Sequence, residues 1–260
     1  MPSVFPLEIE EMIFNLLPED DEGRSALKTC SLVCQAFLPI CRKRIFGSIF
    51  LFNNWEGPSC APHAFKFERL LRETPEIADY IRKLDYTIQP ADLASLSIQE
   101  SLKRISRLEF LTVRPHPGCE LDWSNNPIRP ALLHLLHLPT LTHFSVNNIK
   151  DFVVSDLMPC VNLKYLDIGN YTTMAVAENL NTFPVTLPEY SIQLNEFIAG
   201  IRSPTATVLC TARRPDGQPI IDFGSLSKIT VDIQLPNEGE ASQELFKHCQ
   251  VLTNVNVTCK

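Results

Sequence analysis

Apolar residues recur at helical spacing near the start of the chain. Five of them stand at i, i+3, i+4, i+7 and i+8, which is the spacing of one helical face: Ile9, Met12, Ile13, Leu16 and Leu17. The glutamates among and before them suit the N-terminal end of a helix dipole. Pro18 follows the last apolar residue and ends the pattern. The first element is therefore predicted to be a short helix that ends at this proline.

Two further short helices are predicted before residue 46. The second begins near Gly23 and carries Leu27 and Cys30, and the third runs from Phe37 to Ile45. A helical unit of about 40 residues is near the lower limit of what folds alone. Sixteen large apolar side chains lie in this segment, which is more than so small a core encloses. We therefore expect some of them to face outward and to mark a protein contact.

Beyond a polar connector rich in proline and glycine at residues 53–62, the pattern changes to short strings of the form L-x-x-L-x-L, with apolar substitutes. The last two apolar positions of each string alternate inward on a short strand. The strings begin at Phe46, Ile81, Leu108, Leu141, Leu163, Thr205, Leu226 and Leu252. Helices are predicted between them at residues 65–71, 93–106, 131–138, 192–201 and 243–249. Residues 114–129 and 170–188 are predicted to be inserted loops.

Alternation of strand and helix at this spacing is the signature of a leucine-rich repeat. The predicted fold class is α/β with an all-α N-terminus, in which parallel strands form one face of a degenerate solenoid and helices form the other. The predicted domains are a helical domain at residues 1–52, a linker at 53–64 and a repeat domain at 65–260. A generic α/β layer of six or seven strands is the alternative.

Two segments of the helical domain resemble the F-box, in the F-box-like variant common in fungal proteins. The first is Phe5-Pro6-Leu7-Glu8-Ile9, followed by Ile13 and Leu16-Leu17, and the second is the CSLVCQAF segment from Cys30 to Phe37. Phe5 replaces the usual leucine and Phe37 stands where tryptophan is frequent. Both keep apolar bulk. The alternative is a plain three-helix cap on the repeats.

The resemblance implies that the helical domain binds a Skp-type adaptor, and through it a cullin scaffold, as in SCF-type ubiquitin ligases. It assigns the adaptor contact to Phe5, Pro6, Leu7, Ile9, Ile13, Leu16, Leu17, Leu27, Leu32, Val33 and Phe37. The chain would then be a non-catalytic substrate-recognition subunit whose repeats bind an unknown target protein. A repeat scaffold without a link to ubiquitylation is the alternative function.

Composition narrows the other possibilities. The net charge of −7 argues against nucleic-acid binding, which needs a basic stripe. No apolar segment is long enough to cross a membrane. The N-terminus lacks the basic region of a signal peptide, and nine cysteines without export fit a reducing compartment. We therefore expect an intracellular protein, cytoplasmic or nuclear, without membrane contact.

No catalytic, cofactor or metal site is predicted. Cys30, Cys34 and Cys41 have spacings of four and seven but lack a fourth zinc ligand, so buried thiols are expected. The histidine group of His134, His137 and His143 has no acidic or thiol partner nearby, so surface and turn positions are expected. The chain has neither a G-x-S-x-G motif nor a glycine-rich phosphate loop. A hydrolase built on the cysteines and histidines remains the third alternative.

The predicted target-binding residues lie on the strands. Residues that alternate with the buried ones point to the open face of the sheet. Phe110, His143 and Tyr165 stand at the same position of three successive strands, so their rings are predicted to form a contiguous strip beside Arg114. These four residues are the predicted substrate contacts. The alternative is that the insertion from Arg114 to Arg129 folds over the rings and buries them.

Overall fold

The computed structural model describes residues 6–52, 63–169, 171–175, 190–200, 203–233, 243 and 245–259. Within these ranges the protein is mixed α/β, with three helices followed by a large parallel sheet. Phe5, most of the predicted linker and the side chain of Leu7 lie outside the described part of the chain. No helix in the described ranges is long and apolar enough to cross a membrane.

The regular elements follow one another along the whole chain. The α-helices are α1 Leu7–Asn15, α2 Asp21–Val33, α3 Phe37–Ile45, α4 His63–Glu73, α5 Pro90–Leu93, α6 Leu96–Lys103, α7 Arg129–Leu136 and α8 Ser203–Thr211. The strands are β1 Ser48–Leu51, β2 Lys83–Ile88, β3 Phe110–Pro115, β4 Leu121–Asp122, β5 His143–Val146, β6 Ile149–Lys150, β7 Phe152–Val153, β8 Tyr165–Ile168, β9 Met174–Ala175, β10 Ile192–Gln193, β11 Glu196–Gly200, β12 Ile221–Asp222, β13 Lys228–Ile233 and β14 Asn254–Cys259. Short 3-10 helices occupy Pro75–Asp79, Val154–Leu157 and Phe223–Ser225.

Helices α1 to α3 enclose a small core of their own, built from Phe14, Leu27, Ile40 and Cys41. Helix α2 begins at the Asp20 cap, whose carboxylate accepts a 2.9 Å hydrogen bond from the Gly23 amide. A Cβ at Gly23 would come within 1.9 Å of the Pro18 carbonyl oxygen, so glycine is needed where the two helices meet. The Arg44 guanidinium donates to the Phe14 and Leu17 carbonyls and so satisfies the C-terminal end of α1.

The main sheet has eight strands in the order β1-β2-β3-β5-β8-β11-β13-β14, and all of its pairs are parallel. Each strand therefore pairs with the next one along the chain. The inward side chains match the predicted ones on the central strands, for example Leu111 and Val113 on β3 and Phe144 and Val146 on β5. On the helical side, α4 packs on α6 and α6 packs on α7.

The sheet begins before the predicted linker. Strand β1 follows α3 directly and pairs with β2, in register from Ser48 with Lys83 to Leu51 with Tyr86. This confirms the string that begins at Phe46. The change from helices to sheet thus falls between residues 45 and 48, inside the range that the sequence assigned to the helical domain.

The sequence prediction is wrong in one repeat. Residues 192–201, predicted as a helix, contain strands β10 and β11, and the segment from Thr205 to Cys210, predicted as a strand, lies in helix α8. The true string runs from Leu194 through Phe197 to Ala199, where alanine stands in place of a large apolar residue. In α8 the buried residues Thr205 and Leu209 are four apart, as one helical face requires.

The insertion after β3 is not a simple loop. It contains strand β4, which pairs with β6, and its Trp123 and Ile128 are buried in the main core. The Trp123 ring lies 4.7 Å from the Phe152 ring, measured between centroids. The described part of the second insertion likewise contains a strand, β9, which pairs with β7. Residues 176–189 lie outside the described ranges.

Candidate interaction surfaces

Helix α1 presents its apolar stripe to solvent rather than to the core. The buried residues are Glu10 and Phe14, and Leu17 just beyond the helix packs beside them. The stripe predicted from the periodicity lies on the other side, where Ile13 is 52% exposed and Leu16 is 85% exposed. The helix therefore uses a different set of residues to attach to the small core.

Helix α2 adds two more exposed apolar residues at its C-terminal end. Leu32 is 88% exposed and Val33 is 73% exposed. We call Ile9, Met12, Ile13, Leu16, Leu32 and Val33 the outward apolar surface. Pro6, also a predicted contact, is exposed at the start of α1. Burial of such side chains against a partner is favourable at about 25 cal/mol per Å² of apolar area.

Three of the predicted adaptor contacts belong to the small core instead. Leu27 is 2% exposed and lies at the centre of the helical unit, so its side chain does not reach a surface. Leu17 and Phe37 are partly buried against the same core, and the Phe37 ring packs edge-on against Phe14 at 5.2 Å. A periodic pattern alone did not separate these positions from the exposed ones, because both sets are apolar.

The three aromatic residues of the sheet form the predicted contiguous strip. Phe110 pairs with His143, and His143 pairs with Tyr165, on neighbouring parallel strands. The ring centroids of Phe110 and His143 are 4.0 Å apart and those of His143 and Tyr165 are 5.3 Å apart, both in stacked geometry. The ammonium of Lys83 lies 4.9 Å from the Phe110 centroid at the β2 end of the strip.

A groove of about 300 Å³ lies along this strip. Its lining comes from β3, β5 and β8 and consists of Phe110, Leu111, Thr112, His143, Phe144, Ser145, Tyr165 and Asp167. None of these residues belongs to the insertion between Arg114 and Arg129. The alternative in which the insertion covers the rings is therefore wrong, since its apolar residues pack into the core.

A hydrogen-bonded chain of polar groups stands beside the rings. The Asn147 amide donates to the Ser145 hydroxyl at 3.2 Å, and that hydroxyl donates to Asp167 Oδ2 at 2.8 Å. The Asn147 side chain occupies the space over Gly169, where a Cβ would lie 1.3 Å from its oxygen. Burial raises the pKa of Asp167 above its usual value, opposed by the Ser145 hydrogen bond.

The neighbouring charges are already paired. Lys228 Nζ lies 2.6 Å from Glu196 Oε1, next to Tyr165 along the sheet. Arg114 donates to Asp85 Oδ2 at 2.8 Å and to the Thr87 hydroxyl at 3.2 Å, so its guanidinium lies over β2. This corrects the expectation that Arg114 borders the ring strip, because it does not line the groove.

Two ring groups of the groove are neutral at neutral pH. Burial lowers the pKa of His143 below its usual value, and Lys83 lowers it further against the opposing carboxylates. Burial, followed by Asp167 and Glu196, raises the pKa of Tyr165 to about 12. The strip therefore carries no charge of its own.

The cysteines and histidines outside the groove are structural. Burial raises the pKa of the Cys41 thiol, which disfavours a reactive thiolate. His134 and His137 each place Nε2 within hydrogen-bonding distance of a backbone carbonyl, 3.1 Å for His134 and 2.8 Å for His137. Among the described residues no group of three or more histidine, cysteine, aspartate or glutamate side chains is placed to hold a metal ion.

Comparison with known proteins assigns no family to the chain. No protein-family model matches it, and no curated protein matches it. The function of the two surfaces therefore has to follow from their own residues and geometry.

Proposed function

We propose that the chain is the substrate-recognition subunit of an SCF-type ubiquitin ligase. The outward apolar surface is the observation that carries the proposal. A unit of three short helices leaves two of its most apolar residues, Leu16 and Leu32, 85% and 88% exposed, while its core is built from others. Exposed apolar side chains of this kind mark a protein contact, and the F-box-like motif makes a Skp-type adaptor the partner.

The second part of the chain supports the proposal through its sheet. Eight parallel strands in sequential order, with L-x-x-L-x-L strings on the strands, suit a degenerate leucine-rich-repeat solenoid. Such a solenoid offers an extended open face for a protein target. The chain itself would perform no chemistry. It would hold the target near a conjugating enzyme supplied by its partners, in the cytoplasm or the nucleus, and proximity would accelerate the transfer.

A pull-down distinguishes this function from that of a scaffold without a link to ubiquitylation. The tagged full chain is co-expressed with a Skp-type adaptor and a cullin, and the retained proteins are quantified. A ligase subunit retains both in equal amounts, because the adaptor bridges the chain to the cullin. Retention of the chain's other partners without adaptor or cullin would favour the scaffold.

Loss of the ring strip is expected to weaken capture of the target. Phe110→Ala and Tyr165→Ala each remove one ring of the stack and should each cost about 2 kcal/mol of binding, because aromatic anchors dominate interfaces. Tyr165→Phe keeps the ring and should bind almost as the wild type does. The measurement is quantitative mass spectrometry of proteins that are ubiquitylated in a chain-dependent manner.

Two controls accompany this measurement. Thr230→Ala lies on the same face of β13, outside the residues that line the groove, and should leave capture unchanged. Adaptor binding reports correct folding of every variant. Undiminished capture by both alanine variants would move the target site to another surface.

A further inference from the structure

We propose that the groove binds a basic side chain, arginine or lysine, presented by the target protein. The charged head would meet Asp167, and the methylene stem would lie along the edges of Phe110, His143 and Tyr165. The inference rests on the proposed function in one respect, that this face of the sheet is the one that meets the target.

The first argument is the charge of Asp167. Its carboxylate is half-buried in the groove wall, and the donor to it within the described residues is the neutral hydroxyl of Ser145. No arginine, lysine or histidine in the described part of the chain forms an ion pair with it, whereas Glu196 is paired with Lys228 and Asp85 with Arg114. A half-buried carboxylate without a cation gains most from a cationic partner.

The second argument is the orientation of the rings. Because the three rings stack face to face across the strands, they turn their edges rather than their faces to the open groove. A ring edge carries partial positive charge, so it suits an aliphatic stem and offers no cation–π site. The one ring face with a cation beside it, that of Phe110, is already occupied by Lys83. The charge of a bound side chain must therefore be met by Asp167.

The third argument is that the site is held in place before anything binds. Asn147 fixes Ser145, and Ser145 fixes the Asp167 carboxylate through Oδ2, which leaves Oδ1 for an incoming donor. The neutral state of His143 avoids repulsion of a cation. The groove volume of about 300 Å³ is sufficient for one long side chain. Preorganised charge and space of this kind favour specificity.

Pools of synthetic peptides test the proposal directly on the full chain. Each pool of acetylated heptapeptides has one fixed central residue, namely arginine, lysine, citrulline, norleucine or glutamate, and random neutral residues elsewhere. Citrulline has nearly the shape of arginine without its charge. The wild-type chain should retain the arginine and lysine pools about tenfold more strongly than the citrulline and norleucine pools, since a charge-assisted hydrogen bond is lost with the charge.

Two variants locate the preference. Asp167→Asn keeps an acceptor for Ser145 and removes the charge, so the arginine-to-citrulline ratio should fall to about 1. Asp232→Asn makes the same change on β13 of the same sheet, outside the residues that line the groove, and should leave the ratio unchanged. Thermal unfolding of both variants checks that they fold as the wild type does.

Equal retention of all pools by the wild type would overturn the proposal, and so would an Asp167→Asn variant that keeps the basic preference. The assay contains neither adaptor nor ubiquitin, so its failure is distinct from failure of the ligase function. Conversely, a basic preference that depends on Asp167 would stand even if the adaptor did not bind.

Discussion

Ile13→Asp and Leu32→Asp are each expected to abolish binding of the Skp-type adaptor. Both side chains are exposed on the helical unit, so aspartate is tolerated in the free chain. In the complex, each would place an unpaired carboxylate inside an apolar contact, which costs several kcal/mol. Stable contacts of this kind are large, about 2,000 Å² or more in total. The measurement is the adaptor-to-chain ratio after co-purification.

Leu96→Asp is the matched control. Leu96 is 76% exposed and lies on α6, which packs in the sheet domain rather than in the helical unit. The same change of an exposed leucine to aspartate should therefore leave adaptor binding unchanged. If the Ile13 and Leu32 variants co-purified with adaptor at the wild-type ratio, the F-box interpretation would be wrong.

Asp156→Ala is expected to lower the free energy of unfolding by about 3 to 5 kcal/mol. Asp156 is buried in the 3-10 helix Val154–Leu157 and accepts hydrogen bonds from Trp123 Nε1 at 2.6 Å and from Arg129 Nη2 at 2.8 Å. Its removal leaves a buried indole N–H and a partly buried guanidinium without their partner. Urea denaturation followed by circular dichroism measures the loss.

Glu120→Ala is the control for this prediction. It breaks the ion pair with Lys150, whose two side chains are largely exposed. Exposed pairs of this kind contribute about 0 to 1 kcal/mol. A loss of similar size in the two variants would mean that the Asp156 cluster does not join consecutive parts of the sheet domain as the geometry indicates.

Most strands were predictable because their signal is local. Each of the central strands carries two large apolar residues, two positions apart, that alternate with polar ones, as Leu111 and Val113 do on β3. The aromatic strip followed from the same reasoning, since equal positions on neighbouring parallel strands lie side by side. Sequence spacing therefore located the groove, although it did not reveal the hydrogen bonds to Asp167.

The exceptions have physical causes. The strand β11 was missed because Ala199 fills an inward position where the pattern expects a larger residue. The apolar string in α8 imitated a strand, although the buried residues there follow helical spacing. Packing against neighbours decided both cases, and a single sequence does not contain it.

The orientation of α1 was also beyond the sequence. Periodicity identified an apolar stripe, but the core is reached by Phe14 on the opposite side. Arg114 gives a second example, since its ion pair with Asp85 depends on the register of β2 with β3. Long side chains select partners across strands, and strand register follows from the assembled sheet.

Hydrogen–deuterium exchange with and without purified Skp-type adaptor tests the central claim most directly. The account predicts slower exchange across α1 and α2, because burial of the outward apolar surface suppresses opening of the helical unit. Exchange in β3, β5 and β8 should not change, since these strands lie in the sheet domain. Unchanged exchange in residues 7–15 and 21–33 at saturating adaptor would contradict the account.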